Sequence, residues 1–125
     1  MIQPVFVGID VSKSWLDVYI HPHKEILRVP NDSAGLEKLI ERLQGFSIER
    51  VVIESTGKLE YEAVRILREA GLPVTEANPL RIRSFARAKG ILAKTDRIDA
   101  RVIALFGEGV KPDIRPLRDK VIPIP

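Results

Sequence analysis

Residues 4–11, PVFVGIDV, form a nearly continuous apolar run rich in β-branched residues, and the run carries an aspartate close to its end. Such a run belongs in a strand buried on both faces, at the centre of a sheet with helices above and below. A carboxylate placed there costs on the order of several kcal/mol unless it is paired or metal-bound. Asp10 is therefore either a strand-end residue capping the turn through Ser12, or one member of a charged site that the rest of the chain must complete.

The remaining pattern supplies a sheet around that strand. Residues 15–20 alternate in polarity and suit a neighbouring strand, residues 21–24 make a turn, and residues 25–29 give a third short strand. Their short connections predict an antiparallel meander. A helix opens at Asn31 or Ser33, carries Leu36, Leu39, Ile40 and Leu43 at helical spacing, and closes at Gly45. Residues 50–54, RVVIE, read as a buried strand, 61–70 as a helix ended by Gly71, and 73–77 as the last strand. Asn78-Pro79 is a strong helix start, with Asn as cap and Pro in the first turn, and a basic helix runs to about Lys89. Thr95 is expected to cap a final helix through about Phe106, and Gly and Pro accumulate from Gly107 onward. The order β-β-β-α-β-α-β-α-α, with right-handed crossovers, predicts an α/β ribonuclease-H-like fold. Its five-stranded mixed sheet has three antiparallel strands followed by parallel βαβ crossovers, with the fourth strand beside the first.

In that topology Glu54, at the end of the fourth strand, emerges beside Asp10 at the carboxyl edge of the sheet, where open α/β sheets bind ligands. Taken alone, Glu54 reads as an ordinary exposed strand-end residue. Two adjacent carboxylates repel, and a divalent cation relieves the repulsion. Asp96 and Asp99 are three apart and are expected to share one face of the last helix. Asp96 would also be favoured there simply by the helix dipole. Four hard oxygen donors suit Mg2+, with Mn2+ as a substitute, rather than zinc.

Charge is distributed unevenly. The 125 residues carry a net +3, yet Arg81, Arg83, Arg87, Lys89, Lys94, Arg97 and Arg101 stand against only Asp96 and Asp99 within residues 78–101, a local excess of +5. Such a segment is either a solvated helix face or a surface for a polyanion. On the second reading, Arg81, Arg83, Arg87, Lys89, Lys94 and Arg97 are the nucleic-acid-binding candidates. Ser55-Thr56-Gly57 either presents amides and hydroxyls to a phosphate or simply caps the following helix. His21 and His23 read as surface residues, and Trp15 as core rather than a base-stacking platform. The absence of cysteine excludes a disulfide framework and a thiolate zinc site. No apolar run approaches the roughly 20 residues of a membrane span, and with no signal peptide visible a cytoplasmic protein is expected.

The segments Gly8-Ile9-Asp10-Val11-Ser12-Lys13, Leu16-Asp17-Val18, Asn31-Asp32 with Gly35, Glu54-Ser55-Thr56-Gly57, Asn78-Pro79 and Lys94-Thr95-Asp96-Arg97-Ile98-Asp99-Ala100 occur in this order. Together they resemble the N-terminal DEDD domain of the insertion-sequence-110 transposases, a family that includes the Piv-type DNA invertases. The resemblance covers about residues 5–116. It implies a RuvC-like fold, catalytic and metal-binding roles for Asp10, Glu54, Asp96 and Asp99, a magnesium requirement, and DNA strand exchange. It further implies DNA as partner, a structured guide RNA in some members, and a homo-oligomer in the full-length family. Family members continue into a long helix and a second domain with a serine nucleophile. This chain instead has residues 117–125 as a proline-rich tail, expected to be disordered, so residues 1–116 are expected to form one RuvC-like domain that is incomplete alone. Two other readings compete. One is a non-catalytic nucleic-acid-binding and assembly module. The other is an actin-like or sugar-kinase ATPase, which needs a second domain and a Gly-rich adenosine motif not seen here.

Overall fold

The computed structural model describes residues 2–93 and 95–114; Lys94 and the expected tail at 117–125 lie outside the described residues. Five strands, β1 (Val5–Val11), β2 (Trp15–His21), β3 (Glu25–Pro30), β4 (Ile48–Glu54) and β5 (Val74–Ala77), form one sheet in the order β3-β2-β1-β4-β5. β1 pairs antiparallel with β2, and β2 with β3, whereas β1–β4 and β4–β5 are parallel. The mixed sheet expected from the sequence is therefore present.

Alternation along β1 sorts the chain into two layers. Val5, Val7, Ile9 and Val11 point to the face covered by α1 (Ser33–Leu43) and α2 (Tyr61–Glu69), where they pack with Leu36, Leu39, Leu43, Ala63, Val64 and Leu67. The opposite face is covered by α3 (Pro79–Ala88) and α4 (Ala100–Val110), which contribute Ile82, Ala86, Val102, Ile103 and Phe106 around Val52. Gly8 faces α4 so closely that a Cβ there would lie 2.2 Å from the Ala100 carbonyl oxygen and 2.4 Å from the Ala104 nitrogen. The missing side chain lets α4 lie directly on β1, which sets the position of the α4 N-terminus relative to Asp10, two residues further along the strand.

α1 begins at Ser33, one of its two expected starts, and is capped by Asp32, which accepts from the Gly35 amide at 2.8 Å. Asn31 instead donates through Nδ2 to the carbonyls of Ser12 (2.9 Å) and Leu59 (3.4 Å), tying two loops of the sheet edge together. The last helix starts at Ala100, not after Thr95, because Asp99 adjoins the apolar run and caps it by accepting from the Val102 amide at 3.0 Å. Asp is a stronger N-cap than Thr. Asp96 therefore precedes the helix and does not share a helical face with Asp99. That helix also continues past Phe106 to Val110, because Gly107 is a packing residue: a Cβ there would meet a methyl of Val52 at 2.8 Å. Asn78 and Pro79 start α3 as expected, with the Asn78 side chain accepting from the Leu80 amide at 2.7 Å.

Trp15 is not core. It is 41% exposed at the start of β2, with the Arg28 guanidinium 5.0 Å from its ring centroid. It opens the strand at a tight turn, so neither helix layer reaches it. His23 is exposed as expected, but His21 is half-buried and faces Glu108 of α4 at 3.1 Å. Among the described residues no helix is long and apolar enough to cross a membrane.

Candidate functional site

β1 and β4 run in parallel register through Ile9 opposite Ile53, so Asp10 and Glu54 are the next residues on adjoining strands. Both are half-buried, and both line an open cleft of about 260 Å3 with Pro79, Leu80, Arg83, Arg97 and Ile98. Burial pushes both carboxyls above their ordinary range. Asp10 is raised further by Asp17 and Asp99 and is partly relieved by Arg97. Glu54 is raised further by Asp10 and relieved by Arg83 and Arg97. A cleft that holds unwelcome negative charge on two neighbouring groups is a usual mark of a functional site.

Asp17 was noted in the sequence only within the Leu16-Asp17-Val18 segment, with no role at the site. The antiparallel register places it directly opposite Asp10, where Arg28 holds its carboxylate with a two-pronged contact at 2.8 and 3.1 Å. A tight β1–β2 turn at residues 12–14 fixes that pairing, so the hairpin itself was the signal that could have found it.

The four acids expected to converge do so only in part. Asp10 and Glu54 are side by side, and Asp99 is close enough to raise Asp10, although its Oδ1 is engaged in capping α4. Asp96 is exposed and turned into its own loop: its carboxylate accepts from the Ala93 amide at 3.0 Å, and its carbonyl accepts from Arg83 Nη1 at 2.9 Å. Among the described residues no group of three or more His, Cys, Asp or Glu is placed to hold a metal ion. The Asp10–Glu54 pair, with hard oxygen donors in a cleft open to solvent, fits an Mg2+-like cation. In this arrangement the Arg97 guanidinium supplies positive charge instead, 3.9 Å from Asp10 Oδ2.

The basic residues divide similarly. Arg83 and Arg97 line the cleft. Arg81 lies over the Phe106 ring, 5.6 Å from its centroid, and lines a different depression with Thr75, Glu76 and Lys111. Arg87 and Lys89 are exposed on the far part of α3.

The Ser55-Thr56-Gly57 loop, exposed at Thr56 and Gly57, does not cap α2, and its hydroxyls and the Gly57 amide turn to Glu60. α2 has Glu60 at its N-cap position without a side-chain cap bond. The fully buried Glu60 carboxylate instead folds back into the loop, accepting from the Thr56 hydroxyl and, at 3.3 Å, from the Gly57 amide. Burial raises its proton affinity, but these hydrogen bonds outweigh it and hold the carboxyl below its usual range. An internal anion thus fills the nest directly after Glu54, and the spacing of Glu60 to Thr56 was its only trace in the sequence.

The chain is 28% identical over 119 residues to the pilin gene-inverting proteins of Moraxella bovis and Moraxella lacunata, covering 87% of this chain. It spans 36% of the length of those relatives. The RuvC of T. thermophilus, solved in complex with a Holliday junction substrate, superposes with a TM-score of 0.59 at 23% identity, covering 85% of this chain and 93% of that one. That likeness shows the RuvC-like, ribonuclease-H-like fold. The sequence model of the insertion-sequence-110 DEDD family, described as a transposase, matches residues 7–122. This chain belongs to the insertion-sequence-110 DEDD transposase family.

Proposed function

We propose that the chain is the metal-dependent catalytic domain of a DNA transposase or site-specific recombinase, acting on DNA phosphodiesters during strand exchange. The observation that carries this reading is the Asp10–Glu54 pair at neighbouring parallel strand ends, in a cleft bordered by Arg83 and Arg97. Asp10 and Glu54 would hold Mg2+ or Mn2+, with Asp99 as a third donor through the oxygen not used in capping. Asp96 would join after its loop leaves the Ala93 amide. A bound divalent cation would activate an oxygen nucleophile and stabilise the leaving oxygen of a phosphodiester. The chain's own contribution is to keep the carboxylates together on rigid strand ends and to offer Arg83 and Arg97 to the phosphates. On this reading Arg97 is a provisional counter-ion that turns from Asp10 to the DNA once a cation is bound.

In the longer relatives the serine nucleophile implied by the family resemblance would come from the chain beyond this domain. A guide RNA, homo-oligomeric assembly and a cytoplasmic setting belong to the same reading. A second reading, a nucleic-acid-binding and assembly module without catalysis, is favoured by the commitment of Asp96 and Asp99 to local amides.

Calorimetric titration with Mn2+, paired with a cleavage assay on branched DNA, separates them. The proposal expects saturable Mn2+ binding that Asp10→Asn and Glu54→Gln each weaken at least about tenfold, the loss seen even for groups that only support a metal ligand. Unchanged Mn2+ binding in the double variant removes the metal site. DNA affinity that persists in that variant, with no cleavage by the wild-type chain or by a full-length relative, supports the module.

A further inference from the structure

Trp15 is the protein's one tryptophan, and at 41% exposure it stands outside both hydrophobic layers. Tryptophan is highly buried on average, and this one is held in place rather than left loose. Its backbone closes the turn after Asp10: the Ser12 amide donates to the Trp15 carbonyl at 2.9 Å, and the Trp15 amide donates to Ser12 Oγ at 3.3 Å. Arg28 lies over the indole, and Arg28 is itself fixed by its two-pronged contact with Asp17.

The position of this assembly matters more than its exposure. Trp15 and Asp17 are two apart on β2 and share a face, and Asp17 is in register with Asp10. Strand geometry puts the Trp15 and Asp10 backbones roughly 8–9 Å apart, near enough for one nucleic-acid strand to reach both. Arg83 and Arg97 lie on the other flank of Asp10, toward β4 and α3. A strand laid across the sheet edge over Asp10 would therefore meet guanidinium groups on one side and a pre-set aromatic ring, next to exposed Lys13 and Arg28, on the other.

The geometry points to Trp15 as a stacking platform for an unpaired base of single-stranded DNA next to the acidic cleft. This inference rests on the proposed DNA-directed function and adds a substrate class to it: locally unpaired rather than fully duplex DNA. A base inside a duplex is already stacked on its neighbours, whereas an unpaired base can exchange water for the indole face, with sequence tolerance because every base has a π-face. Polar surroundings favour a base over a protein partner. Of the other exposed large apolar residues among those described, Ile26 is separated from Trp15 by the Arg28–Asp17 contact, and Leu59 is tied to the Ser12 turn only through the polar Asn31 side chain.

The single tryptophan makes the test direct. The full chain is titrated with a 12-nucleotide oligodeoxythymidylate and with a blunt duplex of the same length, following both intrinsic emission and the anisotropy of labelled DNA. Expected are saturable quenching by the single strand, a roughly 5- to 100-fold weaker single-strand affinity in Trp15→Ala, recovery of most of that loss in Trp15→Phe, and little change for duplex. Circular dichroism of the variants confirms that each is folded. Single-strand binding without quenching, or Trp15→Ala within about twofold of wild type, overturns the inference and leaves the proposed function standing. Quenching produced by raising the protein concentration without DNA assigns the ring to a contact between copies, and also overturns it. Binding to neither probe defeats this inference together with the reading on which it rests.

Discussion

Replacing Gly8 by alanine tests how the fold delivers the site. The new Cβ would lie 2.2 Å from the Ala100 carbonyl oxygen and 2.4 Å from the Ala104 nitrogen. Ordinary contacts begin near 3.4 Å, so α4 must recede by about 1 Å, because both atoms are backbone and β1 is pinned by β2 and β4 on either side. Overpacking typically costs 1–3 kcal/mol, and this case belongs at the upper end, at about 3 kcal/mol. For a domain of this size that lowers the melting temperature by roughly 10 °C. Gly109→Ala is the matched control, since its Cβ would meet only the edge of the Phe85 ring at 2.6 Å, a side chain that can move; about 1 kcal/mol is expected. Urea denaturation of the three proteins measures both. A Gly8→Ala protein within about 0.5 kcal/mol of wild type, or losing no more than Gly109→Ala, would refute the argument that the bare backbone at Gly8 seats α4.

Three further outcomes follow from the site. Asp99→Ala should remove the α4 cap and cost about 1 kcal/mol, whereas Asp99→Asn should keep the cap; if Asp99 also binds metal, both variants lose Mn2+ affinity, and calorimetry distinguishes the two roles. Asp10→Asn and Glu54→Gln should each stabilise the metal-free protein at pH 7, by roughly 0.5–2 kcal/mol. The sign follows from their raised carboxyls: the penalty is absent below the unfolded values, grows as pH rises through the folded ones, and is complete at neutrality. Equal gains at pH 3 and pH 7 would contradict this. Glu60 has the opposite sign, contributing stability above its unfolded value that is lost as pH falls through its depressed one. Glu60→Ala should cost roughly 1.5–3 kcal/mol at pH 7 by removing the loop's hydrogen bonds to a charged carboxylate, with a smaller loss at acid pH, as thermal melts across pH would show.

Much of this was legible in the amino-acid sequence because strand and helix periods are local. The apolar run around Asp10 and the run ending at Glu54 specified two buried parallel strands, and adjacency then brought their carboxylates together without further information. Asn78-Pro79 marked a helix start through chemistry contained in two residues. The remainder depended on competition or on distant contacts. Thr95 and Asp99 are both able to cap a helix, and the choice of Asp99 moved Asp96 off the helix and left it outside the acidic pair. Gly107 and Gly109 resembled a helix terminus until Val52 and Phe85 were seen to need the space. Trp15 has core composition, but its place at the strand entry leaves no layer to bury it. Glu60 drew no reading from the sequence, and only the return of its carboxylate to Thr56 and Gly57 distinguishes it.

The central claim is that Asp10 and Glu54 form the floor of a divalent-cation site that Asp99 can join. Anomalous diffraction from a crystal grown with Mn2+ tests it most directly. The account expects a manganese peak about 2.1 Å from carboxylate oxygens of both Asp10 and Glu54, with Arg97 moved away from Asp10. A well-ordered crystal at saturating Mn2+ with no peak in this cleft, and Arg97 still facing Asp10, would contradict it.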